Sequence, residues 1–405
     1  MVSMHSEVRR KIRTELQNCG FSAYLAITPA NFFYTSGFHS SFLDLSWRMT
    51  GTDMVLIPAD PGLEPVMIVS DFLSGAAGRA TDIRDIRPYS MWIEARDLDI
   101  VASRPNEAQP DLRPVRPEQY RHAEIAAIVA GILDEWKCAG GRIATDLDFM
   151  QVETRTHLAN ACSQATFVDW ADAIYRLRAI KHPEEIRRLR NAAIVFDKML
   201  ERSFGGIKEG YSLEEMRVEC ELGAIETFRA NPAIGEYQGS WAFNAIGIGD
   251  TNRVKNGDVI KVDAGVRLSG YYSDCARVAI FGEPSKEALL VYEALHRAYD
   301  AAALQLKPGN TMRMVHQVAE ETVRANGLPN YTRGHFGHSI GTDNLVEERP
   351  FIGMNDTVLE PGMVVCLELP YYPPSVGEFN IEDMWLITDT GAECLNFVSR
   401  DLLFV

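Results

Sequence analysis

The feature that most constrains this chain is the stretch VIKVDAGVRLSGYYSDCARVAIF, residues 259 to 281. Its first half is an apolar, strand-like run, Val259-Ile260-Lys261-Val262, that ends on Asp263, and its return half carries Asp274. Burying a lone carboxylate costs several kcal/mol unless a partner or a metal offsets it. A turn near Ser269-Gly270 sets the two aspartates on neighbouring strands, where they converge. The device recurs in MVVCLELPYYPPSVGEFNIEDMWLIT, residues 363 to 388, where Glu368 ends an apolar strand and Glu382 lies on the return strand. Four carboxylates held close in apolar strands push one another's pKa values up, and a divalent cation is the natural source of the missing charge.

Between the hairpins lies TRGHFGHSIGT, residues 332 to 342, which holds His335 and His338 among glycines that let a ligand approach the backbone. An oxygen-rich set with one imidazole suits a hard or borderline ion, Mn²⁺, Co²⁺, Fe²⁺ or Zn²⁺, and carboxylates able to bridge point to two ions. Taken singly, an Asp or Glu is most often a surface or turn residue and a lone His is most often structural. The argument rests on the ordered set Asp, Asp, His, Glu, Glu, each in its strand context.

The rest of the chain reads as an α+β protein in two parts. To about residue 175, strand-like runs (YLAIT, DMVLIP, PVMIVS, RIATD) alternate with helical ones, the clearest being Glu124 to Trp136. A linker is expected over residues 176–184 and a second domain over 185–405. Pro183 suits the first turn of a long helix, and Ser212 with Glu215 forms a capping box for a helix over Leu213 to Phe228. Helical periods also cover Ser285 to Leu306 and Thr311 to Asn326. Helices followed by a carboxylate-bearing hairpin thus occur twice.

A net charge of −16 opposes nucleic-acid binding. Seven scattered cysteines without a C-x-x-C spacing read as reduced thiols of a cytoplasmic protein, and the first residues resemble an amphipathic helix rather than a signal peptide. No run approaches the ~18 apolar residues of a membrane span.

The blocks VKNGDVIKVDAG, GYYSDCAR, GHSIG, LEPGMVVCLE and NIEDMWLIT resemble the pita-bread metallopeptidase family, which includes prolidase, aminopeptidase P, methionine aminopeptidase and the non-peptidase creatinase. NFFYTSGF and LRAIKHPEEI are similar to the creatinase-type N-terminal domain and its exit. The resemblance implies that residues 1–175 form that N-terminal domain and residues 185–405 a pita-bread catalytic domain. It further implies two divalent metal ions held by Asp263, Asp274, His338, Glu368 and Glu382, with Asp274 and Glu382 bridging, and a homodimer. Glu368 is then the proton shuttle in hydrolysis of a C–N bond of a small peptide or other small molecule. Because a partner's N-terminal domain often closes the family's site, Trp47 and Arg48 are candidate substrate contacts, with Arg349 as a carboxylate clamp and Tyr371 and Tyr372 as pocket lining.

The family's peptidases usually carry three further histidines and an arginine at positions held here by Ile246, Gly334, Leu345 and Asn380. His335, one residue out of register, is the candidate replacement for one of them. The resemblance therefore implies first an Xaa-Pro dipeptidase or aminopeptidase. The alternatives are a metal-dependent hydrolase of a small non-peptide amide or amidine, similar to creatinase or ectoine hydrolase, a dimethylsulfoniopropionate-type lyase, and a binding-only adaptor.

Overall fold

The computed structural model describes residues 3–46, 49–94, 115–248, 252–343 and 348–405. The chain divides into two compact units, Met1–Ile174 and Tyr175–Val405.

The first unit opens on the helix Met4–Asn18, capped by Ser3, whose hydroxyl accepts from the Ser6 amide at 3.1 Å. Its sheet contains β1 (Ala23–Ala26), β2 (Met54–Pro58), β3 (Val66–Ser70), β4 (Asp85–Tyr89), β5 (Arg142–Thr145) and β6 (Thr166–Asp169), in the order β4-β3-β2-β1-β5-β6. The three central strands are buried at every residue, which explains why they read as continuous rather than alternating apolar runs. The helix His122–Glu135 lays Ile125, Val129 and Ile132 into the same core as Leu25, Leu56 and Ile143.

The second unit is built on helices flanking one large sheet. Pro183–Gly205 begins with its proline in the first turn, and His182 and Glu185 cap each other's backbone amides reciprocally. Ser212 and Glu215 do the same for Leu213–Ala230. Lys286–Ala303 and Met312–Ala325 share a core with Val365, Leu367, Phe379 and Ile381.

The segment expected as a linker, residues 176–184, is ordered. Residues 176–179 end the helix Ala171–Ala179, and Ile180 bridges to Met363. The reason is electrostatic: Arg178 is buried with its guanidinium 2.5 Å from Glu348 and 3.3 Å from Asp343, and buried Lys181 donates to the Arg178 carbonyl at 2.6 Å. Charges so placed pin the chain instead of leaving it solvated.

The large sheet is formed by β7 (Tyr237–Ala242), β8 (Ala245–Ile246), β9 (Val259–Leu268), β10 (Tyr271–Tyr272) and β11 (Cys275–Ile280), then β12 (His335–Ser339) and β13 (Glu348–Gly353). It is completed by β14 (Val364–Glu368), β15 (Glu382–Ile387), β16 (Ala392–Cys394) and β17 (Leu403–Phe404). Its main path runs β10-β9-β11-β15-β14-β12-β13. The first hairpin turns through Ser269 and Gly270, both at positive φ (49° and 83°), the twist that suits a tight antiparallel turn. The sheet thus joins both carboxylate hairpins edge to edge through β11 and β15.

Candidate metal centre

Register builds the site. Asp263 lies opposite Ala276, Ala276 opposite Glu382, and Glu382 opposite Glu368, so one row crosses β9, β11, β15 and β14. Side chains opposite one another in a sheet share a face. The next row holds Met384, Cys366 and His338, again directly paired. Asp274 precedes β11, two residues before Ala276, and therefore leans toward the same face. Ala276 contributes only a methyl to its row and leaves space between the carboxylates.

His338 reaches this face because Gly337 precedes it. Gly337 adopts φ 138°, and a Cβ there would stand 1.9 Å from the Cys366 carbonyl oxygen, so β12 meets β14 this closely only with glycine. The pairing of β12 with β13 is irregular on both sides of His338, a bulge of the kind that re-aims a side chain.

Asp274, His338, Cys366 and Glu382 bring one donor atom each to within 4.8 Å of one another, and all four are buried. His338 Nε2 stands 3.4 Å from Asp274 Oδ2 and 3.6 Å from Glu382 Oε1. Burial opposes a charge on His338, but those two carboxylates outweigh it and raise its pKa well above the ordinary value. Glu382 is itself pushed well up by burial and by Asp274. Asp263 is raised to about 7, first by burial and then by Asp274, with Lys261 pulling the other way.

Glu368 shares the row but has different company. Burial works against its charge, yet His335, with Nδ1 at 3.3 Å, and Arg333, with Nη2 at 2.9 Å, hold it at about 2. Lys261 Nζ sits 3.6 Å from Asp263 Oδ2, 3.0 Å from Glu378 and 4.7 Å from the centre of the Tyr372 ring. Asn380 joins two members of the row, donating to Glu382 Oε2 at 3.1 Å and to Asp263 Oδ2 at 3.5 Å.

This donor set fits divalent metal. Carboxylates from three strands and one imidazole converge, and the raised Asp263 and Glu382 mark negative charge that the protein's own cations leave uncompensated.

Behind the row, Asp383 points to the opposite face, where Arg277 meets it at 2.5 Å and the Tyr299 hydroxyl at 2.6 Å. Arg277 also donates to the carbonyls of Glu382 (2.7 Å) and Ala276 (2.9 Å), locking together the two strands that carry the centre of the row.

Of the other residues singled out by sequence, Arg349 lies 5.6 Å over the Tyr175 ring, and Tyr371 packs edge-on to Tyr331 while bridging Phe379 through its backbone. It is Tyr372, by Lys261, that reaches the row. Ile246 is buried beside Ile260 in the β8–β9 pairing, and the Cα of Gly334 faces open space. Trp47, Arg48 and Leu345 lie outside the described residues. Sequence reading missed Cys366, Lys261, Arg333 and the Arg277–Asp383 pair. The parity of β14 would have found Cys366, two residues from Glu368, and the parity of β9 Lys261, two from Asp263.

Residues 187–389 match metallopeptidase family M24, and residues 9–180 match the creatinase/prolidase N-terminal domain. An Xaa-Pro dipeptidase of Pyrococcus furiosus is 32% identical over 235 residues, 57% of this chain and 67% of that protein. An uncharacterized peptidase of Staphylococcus aureus is 30% identical over 262 residues, 64% and 74% of the two chains. In fold the chain is similar to an Xaa-Pro dipeptidase from Bacillus anthracis, with TM-score 0.79, 22% identity, and coverage of 99% and 100%. It is also similar to the prolidase from Pyrococcus horikoshii, with TM-score 0.76, 21% identity, and coverage of 98% and 100%.

Proposed function

Because the chain belongs to metallopeptidase family M24, with a creatinase/prolidase N-terminal domain ahead of the catalytic one, we propose that it hydrolyses Xaa-Pro bonds in small peptides at a two-metal centre. Asp263, Asp274, His338, Glu368 and Glu382 would hold the ions. When bound, divalent ions acidify water and polarise the scissile carbonyl. The observation that carries this reading is the cross-strand row of carboxylates, whose unbalanced charge calls for cations.

The remaining roles belong to side chains. Arg333 and His335 keep Glu368 ionised, so at neutral pH it is a proton acceptor. Glu368 takes the proton of the attacking water and passes it to the leaving nitrogen. Asn380 orients Asp263 and Glu382 relative to each other through its two hydrogen bonds. Phe243, 68% exposed beside Trp241 and bonded through its amide to the Asp263 carbonyl, offers an apolar wall for a proline ring.

A second reading, a hydrolase of a small non-peptide amide or amidine, is favoured by the apolar burial of Ile246 and the bare Gly334 at positions where family peptidases usually carry histidines. The seven cysteines are free, which supports a reducing, cytoplasmic setting; separately, among the described residues no helix is long and apolar enough to cross a membrane. A homodimer is the assembly we expect.

The test is a turnover panel on metal-reconstituted protein, with Ala-Pro, Gly-Pro and an Xaa-Pro tripeptide beside creatine, ectoine and dimethylsulfoniopropionate, and metal content measured on the same sample. Cleavage of the Xaa-Pro bonds is expected. Bound metal with hydrolysis of a non-peptide substrate alone would establish the second reading instead.

A further inference from the structure

We propose that Cys366 is a direct ligand of the metal centre, placing a thiolate among the carboxylate and imidazole donors and shifting its preference toward thiophilic ions such as Zn²⁺ and Cd²⁺. The Cys366 side chain lies on the same face as His338 and Met384, directly across from each, one row along from Glu368 and Glu382. Its sulfur is one of four donors whose atoms lie within 4.8 Å of one another, with Asp274, His338 and Glu382 as the others. Two donors across one Zn²⁺ stand roughly 4.0–4.5 Å apart, so atoms that all lie within 4.8 Å of one another need only a small inward shift to share one ion.

Two further observations point to an ion at this position. Among the described residues the thiol donates one hydrogen bond, to the Asp274 carbonyl oxygen at 3.7 Å, and S–H is a weak donor, so little is lost when a cation takes the place of its proton. Glu382 Oε1, in a residue 2% exposed, faces the same small space and among the described residues has no polar partner nearer than His338 Nε2, at 3.6 Å. Buried polar atoms are ordinarily satisfied, and one left unpaired in a cluster of donors marks a place for an ion.

Cys275 supplies the contrast within the same sheet. It is equally buried, but the alternation of β11 turns it away from Asp274 and Ala276, and its sulfur contacts Asn396 Oδ1 at 3.1 Å. Cys275 is packing, as most buried cysteines are. Cys366 differs by sharing a face with five metal-type side chains.

Coordination replaces the S–H proton, which leaves to solvent, and gives the centre one soft donor. Soft donors favour Zn²⁺ and Cd²⁺ over Mn²⁺, so the inference also concerns which ion this protein selects.

The experiment is optical and needs no turnover. Metal-free protein is titrated with Co²⁺ and separately with Cd²⁺, and absorption is recorded from the ultraviolet through the visible for wild type, Cys366→Ser and Cys275→Ser. Wild type and Cys275→Ser are expected to develop a sulfur-to-metal charge-transfer band that saturates with metal. In Cys366→Ser that band is lost while the visible cobalt absorption of the remaining ligands persists. Cd²⁺ affinity is then expected to fall by about 10- to 100-fold, the scale on which altered ligand surroundings act, with Mn²⁺ affinity changing far less.

The inference rests on the metal centre proposed above, and the spectra separate the two. Visible cobalt bands without charge transfer in wild type would overturn the role of Cys366 alone. Absence of any metal binding would overturn the centre and the ligand together. Because the decisive spectrum is that of the wild type, misfolding of the serine variant does not obscure the answer.

Discussion

Replacing Asp263 with Asn tests whether the carboxylate row is held together against its own repulsion. In the metal-free protein, burial and Asp274 raise Asp263 to about 7, against 3.8 for an ordinary aspartate. A carboxylic acid whose pKa is raised on folding keeps its proton in the native state while the unfolded chain has lost it. Stability therefore falls as pH rises between those two values, and the penalty is complete above the upper one. At about 1.4 kcal/mol per pH unit, a span of roughly three units sets a ceiling of ~4 kcal/mol. Asp263 titrates together with the neighbouring acids rather than alone, so we expect about half that ceiling, ~2 kcal/mol. The asparagine has no charge to lose. The difference in unfolding free energy between metal-free D263N and metal-free wild type should thus grow in favour of the variant from pH 4 to pH 8. Urea denaturation of chelator-treated protein at several pH values measures it. A difference that is flat with pH, or that grows in favour of wild type, would refute the reasoning.

Other perturbations follow from the same geometry. Glu382→Ala is expected to abolish metal binding and turnover while the first unit stays folded, and metal analysis with circular dichroism would expose the error if full activity survived. Arg277→Met strands the fully buried Asp383 and should cost about 3–5 kcal/mol, read as a lowered urea midpoint; an unchanged midpoint would mean that the pair carries no net weight. Lys261→Met removes a cation that competes with metal for Asp263, so calorimetry should find tighter binding, by about tenfold if ~1.4 kcal/mol of competition is relieved, and weaker binding would contradict that role. Ile246→His restores a histidine to the buried β8 position, and a rise in Xaa-Pro cleavage is expected if the scaffold derives from a peptidase.

Much of the second unit is legible because its cues are local. Pro183 and the Ser212/Glu215 box mark helix starts through bonds spanning three or four residues, and Ser269-Gly270 marks a turn through backbone conformation. The alternation of a strand likewise tells that Asp263 and Lys261, or Glu368 and Cys366, share a face. The ordered linker is the opposite case. Nothing local marks Arg178 and Lys181 as buried, because Asp343 and Glu348, which lie against them, come more than 160 residues later.

What the sequence by itself determined, then, are the elements and the polarity of their faces: two apolar hairpins, each carrying acids, with a glycine-spaced histidine segment between them. Only the tertiary structure decided that β11 pairs with β15, so that Asp263, Ala276, Glu382 and Glu368 form one row, and that Cys366 falls opposite His338. It also decided which acids keep an excess of charge and which are answered by Arg333, His335 or Arg277. The physical reason is that backbone propensity acts over a few bonds, whereas register and electrostatic environment are sums over neighbours that folding brings from more than a hundred residues away.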